Sequence, residues 1–134
     1  AQLMGYLSVL EHRGWDRLII QTLAIRWTVR RQGWARRLLE QVIREGQEAG
    51  WGAIRLEVAD ANAEAQALYY GLGFRPRLRL PDYYGPGQHA HRLVLALRRM
   101  KIRPAGNQSL ILNLQRNFVK NISNNTGGTI CQKN

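Results

Sequence analysis

Residues 30–59 read RRQGWARRLLEQVIREGQEAGWGAIRLEVA, and the change of period inside this stretch decides the fold. After the polar Arg30-Arg31-Gln32-Gly33, apolar residues fall at Trp34, Ala35, Leu38, Leu39, Val42, Ile43 and Ala49. That is helical spacing, with Arg36, Arg37, Glu40, Arg44, Glu45 and Glu48 on the other face. Gly50 stops the helix. From Ala53 to Ala59 the period drops to two: Ile54, Leu56 and Val58 share one face, Arg55 and Glu57 the other, which predicts a strand.

Upstream, Leu18 to Val29 is rich in β-branched residues and predicts a strand. Leu3 to Leu10 predicts another, joined to it by the short polar segment Glu11–Asp16 as an antiparallel pair. Downstream, Asp60-Ala61-Asn62 offers helix-start chemistry. Ala63 to Tyr70 reads as helix, ended by Gly71 and Gly73. Phe74 to Leu80 reads as a strand, Pro81 to His89 as a Pro/Gly loop, and Arg92 to Leu97 as the last strand. The order β-β-α-β-α-β-β predicts an α/β fold with a mixed sheet.

The chain has 134 residues, 45% of them hydrophobic, which suits one domain with a real core. No apolar run reaches the ~18 residues a membrane span needs, and no secretory pattern opens the chain, so the cytoplasm is expected. One cysteine, Cys131, excludes an intramolecular disulfide. His12, His89 and His91 have no partners at metal-ligand spacing, and no metal is expected. The net charge of +11 points to an anionic partner. It is unevenly spread: fifteen arginines and all nine acids lie in residues 1–100, whereas residues 101–134 hold three lysines, two arginines and no acid. Asparagine shifts as sharply, with Asn62 alone in the first hundred residues and seven in the rest. The chain therefore divides into a core, 1–100, and an unrelated tail, 101–134, expected to be disordered.

Three constellations could carry chemistry. In the turn Arg30-Arg31-Gln32-Gly33-Trp34-Ala35, the first amides of a helix lack internal partners and face the positive end of its dipole. Gly33 would let backbone approach an anion, Ala35 keeps the first turn small, and Arg30 and Arg31 suit a pyrophosphate. A basic helix start is also commonly a plain solvated surface. Glu57 reads either as a rim carboxylate paired with Arg55 or another arginine, or as a general base. Asn62 and Tyr69, seven residues apart, lie on roughly the same helix face. Their plain readings are an N-cap and a core aromatic.

Taken in order, the strand, R-x-x-G-x-A opening an amphipathic helix, Leu56-Glu57-Val58, Asn62, Ala67-Leu68-Tyr69 and Gly71-Leu72-Gly73-Phe74 resemble the GNAT superfamily of acetyl-CoA-dependent N-acetyltransferases. The resemblance runs from about Leu3 to Leu97. Within the superfamily the chain is most similar to the bacterial ribosomal-protein alanine N-acetyltransferases and related protein N-terminal acetyltransferases. Leu23-Ala24-Ile25, the Leu-Glu-Val strand, the Asn-to-Tyr spacing and Tyr83-Tyr84 carry that closer match.

The resemblance implies a mostly antiparallel mixed sheet with flanking helices. It implies that the strand at Leu18–Ile25 splays from the strand at Ala53–Val58. The pantetheine arm of acetyl-CoA would lie in that gap, hydrogen-bonded to backbone around Leu23, Ala24 and Ile25. The pyrophosphate would sit on amides of Arg30, Arg31, Gln32, Gly33, Trp34 and Ala35. Asn62 would contact the cofactor arm, Glu57 would deprotonate the attacking amine, and Tyr69 would protonate the leaving thiolate. The implied acceptor is a protein or peptide N-terminus, a ribosomal protein among them, or a small-molecule amine.

Three departures accompany the match. Arg26-Trp27 stands where the family usually has an acidic residue and proline. The loop Gly85-Pro86-Gly87-Gln88-His89 lacks the usual acids. The complete fold begins with a strand, two helices and a further strand that this chain lacks, so the expectation is a core truncated at its start. The competing readings are a basic RNA- or ribosome-binding module, which the dispersed arginines do not favour, and an inactive acetyltransferase fragment.

Overall fold

The two alternating segments that open the chain pair antiparallel as β1 (Gly5–His12) and β2 (Arg17–Ile25). This is a computed structural model, and it describes residues 5–26 and 30–98. The β1–β2 connection is a 3-10 turn, Arg13–Trp15, closed by Asp16 in the left-handed region at φ 53. His12 Nδ1 accepts from the Trp15 amide at 3.1 Å, and the two rings stack at 3.9 Å. The strand expected to reach Val29 ends at Ile25. Residues 27–29 and the tail from 99 onward, Cys131 included, lie outside the described residues.

Helix α1 (Trp34–Glu48) forms where the helical period predicts, burying Leu38, Leu39 and Val42. Gly46 lies on that buried face: a Cβ there would come within 3.0 Å of Leu97 and 3.2 Å of Leu18, so the missing side chain sets the helix–sheet distance. Strand β3 (Ala53–Ala59) matches its expected bounds, with Ile54, Leu56 and Val58 inaccessible to solvent or nearly so. Helix α2 (Ala63–Gly71) follows, and then β4 (Arg75–Gly85) and β5 (Gln88–Ala96).

This last hairpin corrects the expected loop over Pro81–His89. The strands run on until only Pro86 and Gly87 connect them. Pro81 is tolerated because β4 is an edge strand, where a missing donor breaks no ladder bond. The irregularity is absorbed by a register shift between Leu80 and Gly85 and by Asp82 at φ 54. The Asp82 amide donates to His89 Nδ1 at 2.9 Å, and Asp82 Oδ1 accepts from the Gly87 amide at 2.7 Å.

The sheet order is β1-β2-β3-β5-β4, parallel only between β2 and β3. Both helices cover one face: Leu38, Leu39, Val42, Ala65 and Tyr69 join Leu18, Ile20, Ile54, Leu56, Val58 and Leu93 in a single core cluster. Alternation sends Arg55 and Glu57, with Val94 and Arg92 beside them on β5, to the opposite face. Among the described residues no helix is long and apolar enough to cross a membrane.

One charge in α1 is poorly placed. Burial raises the Glu45 carboxyl above its ordinary value, with Glu48 adding to the effect and the Gln41 hydrogen bond and Arg44 opposing it. The native state therefore holds this proton to higher pH than the unfolded chain. Stability from Glu45 is greatest below its unfolded value and declines as pH rises through the folded one. Glu45→Gln is expected to raise the unfolding free energy measured with urea at pH 7 by roughly 0.5 kcal/mol or less, because the side chain is partly solvated, with the gain absent near pH 3.5.

Candidate active site

The site begins with a failure of strand pairing. β2 and β3 are registered only at Arg17↔Ala53, Leu18↔Ile54 and Ile19↔Arg55. Beyond that point β2 stays with β1 as far as Gly5↔Ile25, and β3 stays with β5 as far as Ala59↔Ala90. The β1–β2 register explains where they part. Ser8 faces Thr22 and Val9 faces Ile20, so Gln21 is an extra residue on β2. A bulge of this kind bends its strand and increases its twist. A wedge therefore opens between residues 20–25 and residues 56–59, bordered by backbone that the neighbouring strand leaves unregistered. Leu23 and Ala24 are buried on one border, and Ile25 is half-buried.

The chain leaves the end of β2 for the turn that opens α1. Arg31 at φ 62 and Gly33 at φ 79 are both left-handed, and Gly33 is the N-cap. No side chain caps the helix, and its first turn carries no acid. The amides of Trp34 and Ala35 thus present an uncapped positive end. A Cβ at Gly33 would meet nothing within 4 Å, so glycine is favoured there by its φ and not by crowding, and the space before the amides is open. Arg30 Nε donates to the Ile25 carbonyl at 3.3 Å, tying the turn back to the strand. Arg31 is 84% exposed in its side chain and only loosely paired with Glu64, at 4.0 Å. Gln32 is exposed, and Trp34 is half-buried beneath the Arg37 guanidinium at 5.1 Å. Arg26, at the family departure, is buried.

Across the wedge, β3 and α2 supply the remaining candidates. Asn62 is an N-cap: its Oδ1 accepts from the Ala65 amide at 3.1 Å, leaving the carboxamide NH2 to donate elsewhere. Gln66 Nε2 closes the junction from behind, donating to the carbonyls of Ala59 at 2.8 Å and Asp60 at 3.0 Å. His91 Nε2 adds a 2.7 Å contact to Asp60 Oδ1. Asn62→Ala is expected to cost about 1 kcal/mol in urea unfolding, the ordinary worth of such a cap. Tyr69 is 1% exposed and packs edge-on against Phe74, with ring centroids 5.8 Å apart. It therefore has the packing of a core aromatic.

Glu57 sits on the face opposite Tyr69, so the two flank β3 rather than share a pocket wall. Its Oε1 accepts from Arg55 Nη2 at 3.0 Å, the pairing expected from sequence, and from Arg92 Nη2 at 3.3 Å. Arg92 is a site neighbour that sequence reasoning missed, since only the β3–β5 register brings it opposite Glu57. Tyr84 belongs to the same region. Burial raises its phenol above the ordinary value, and the charges of Tyr83 and Glu57 raise it further. The Tyr83 and Tyr84 rings meet edge-to-face at 4.9 Å and stay substantially exposed.

The chain is similar to the ribosomal protein bS18-alanine N-acetyltransferase of Escherichia coli K12, 38% identical over 69 residues, 52% of this chain and 47% of that protein. The enzyme of the same name from Salmonella typhimurium is 35% identical over 83 residues, covering 61% and 56%. The chain thus spans about half the length of the curated relatives it matches. Among solved structures, the Escherichia coli ribosomal-protein-S18-alanine N-acetyltransferase aligns with a TM-score of 0.64 at 29% identity, covering 72% of this chain and 62% of that one. A NatC complex bound to Gag peptide and CoA aligns with a TM-score of 0.63 at 33% identity, covering 71% and 62%. The model of the acetyltransferase (GNAT) family matches residues 1–74. That match takes in both strands bordering the wedge and the turn between them, and on this ground the chain belongs to the acetyltransferase (GNAT) family.

Proposed function

We propose that residues 1–100 are the donor-binding core of an N-acetyltransferase that moves acetyl from acetyl-CoA to an amine, with a protein N-terminal α-amine as the favoured acceptor. The observation that carries this reading is the β2–β3 wedge, which leads directly to the uncapped start of α1. A long ligand with a diphosphate at one end suits such a shape. Backbone of Leu23, Ala24 and Ile25 would hold the pantetheine amides as a strand neighbour would. The turn from Arg30 through Ala35 would receive the pyrophosphate, and Asn62 would donate its free NH2 to the arm.

In the reaction the amine nitrogen bonds to the thioester carbonyl carbon, and the carbon–sulfur bond breaks. An α-amine is largely protonated at neutral pH, so a base must first take a proton from it; Glu57, acting through water, is that base. The departing thiolate takes a proton from the Tyr69 hydroxyl, and the second proton that the nitrogen sheds on becoming an amide returns through water to the Tyr69 phenolate. Positioned acid–base groups typically contribute about 10²–10⁴-fold each. The peptide-directed relatives support a protein acceptor, and a ribosomal-protein acceptor would place the reaction in the cytoplasm.

Calorimetry with acetyl-CoA tests the donor half, and a Kd on the order of micromolar, about −8 kcal/mol, is expected. Transfer to a peptide beginning with a free alanine amine, and none to the same peptide N-acetylated, tests the acceptor half. No detectable heat of binding would overturn the reading.

A further inference from the structure

The pairing around Glu57 is lopsided. Arg55, two residues away on β3, and Arg92, across on β5, both donate to Oε1. Among the described residues Oε2 has no hydrogen-bond partner. The carboxylate is mostly buried, with 10% of its side chain exposed. Both arginines leave a buried Nε without a partner. Guanidiniums free to turn would satisfy those groups first, so packing imposes their orientation. Trp15 backs Arg55, its ring centroid 5.8 Å from the guanidinium carbon, and His12 backs Trp15 in turn. The guanidinium of Arg55 is thus held between an aromatic plane and the carboxylate.

We infer that Arg55 and Arg92 are positioning residues that grip one oxygen of Glu57 so that the other is presented to the incoming amine or its bridging water. The inference rests on the reading of Glu57 as the base. A carboxylate on a flexible stem samples several rotamers, and only those aiming an oxygen at the amine are productive. Two donors converging on Oε1 remove the others before substrate arrives. Neither arginine touches the reacting atoms; each acts through Glu57.

Steady-state transfer from acetyl-CoA to the alanine peptide is the test. Arg55→Ala and Arg92→Ala are each expected to lower kcat three- to thirtyfold, with KM for acetyl-CoA within twofold. Arg92→Lys should recover part of the loss, and Arg77→Ala, on the exposed edge strand, should leave kcat unchanged. In a Glu57→Gln background neither arginine substitution should lower kcat further. Equal losses in both backgrounds, or losses confined to KM, would overturn the inference. If Glu57→Gln itself leaves kcat unchanged, the reading of Glu57 as base fails instead, and if the chain shows no turnover, the acetyl-transfer reading of this chain fails with it. The grip is then decided by urea unfolding: a double-mutant coupling between Arg92 and Glu57 of at least fivefold in the unfolding constant supports it, and less than twofold overturns it.

Discussion

Gly33→Glu is expected to weaken acetyl-CoA binding by at least a hundredfold while the chain stays folded. Two effects combine. Gly33 sits at φ 79, and a residue with a Cβ pays about 1–2 kcal/mol to stay there, so the turn relaxes toward another conformation. The new carboxylate also lies beside the amides that would receive the pyrophosphate. There it repels the incoming anion and competes for the same donors. The fold is partly compensated, because an acid near a helix N-terminus stabilises it by about 0.3–1 kcal/mol. Nothing lies within 4 Å of the added Cβ, so no core clash confuses the result. Gly33→Asn separates the causes: asparagine tolerates left-handed backbone and carries no charge, and a loss below tenfold is expected. Calorimetry on the two variants, with circular dichroism to show retained helix, checks both. Equal affinity for Gly33→Glu and the parent would remove the turn from the donor site.

Glu57→Gln is expected to lower kcat by about 10²–10³-fold and to leave the Kd for acetyl-CoA within twofold. Glutamine keeps an oxygen for Arg55 and Arg92 but cannot accept a proton from the amine. Because two guanidiniums then face a neutral partner, a stability loss of about 1–3 kcal/mol should accompany the change. Measuring Kd, kcat and urea midpoint on one preparation keeps these effects apart. A fall in affinity parallel to the fall in kcat would show damage to the donor site and take the base role from Glu57.

The parts of the fold legible in the sequence were those set by local periodicity. β3 alternates strictly from Ala53 to Ala59 and matches its expected bounds, and α1 follows its apolar stripe. Asn62 caps α2 as its type and place suggest. What escaped depends on tertiary context. Pro81, Gly85, Pro86 and Gly87 look like loop chemistry until β4 is known to be an edge strand, where a proline costs no ladder bond. Arg92 looks like any surface arginine until β5 is registered against β3. The wedge is a subtler case: the resemblance implied that β2 splays from β3, as the short register between them shows, but not what causes it. A single extra residue, Gln21, redirects β2, and nothing in the composition of Leu18–Ile25 marks it.

That bulge has a consequence for how freely the site can change. A ligand gripped by peptide amides and carbonyls along a strand border is indifferent to the side chains those residues carry. Leu23 and Ala24 can therefore be chosen wholly for how they fill the interior. With the donor held as proposed, packing and recognition would fall to different atoms of the same residues, so the interior could be repacked without altering the grip. A change in residue count is the more damaging alteration: deleting Gln21 is expected to restore even pairing with β1, swing β2 toward β3 and close the wedge, with Leu23, Ala24 and Ile25 all still present.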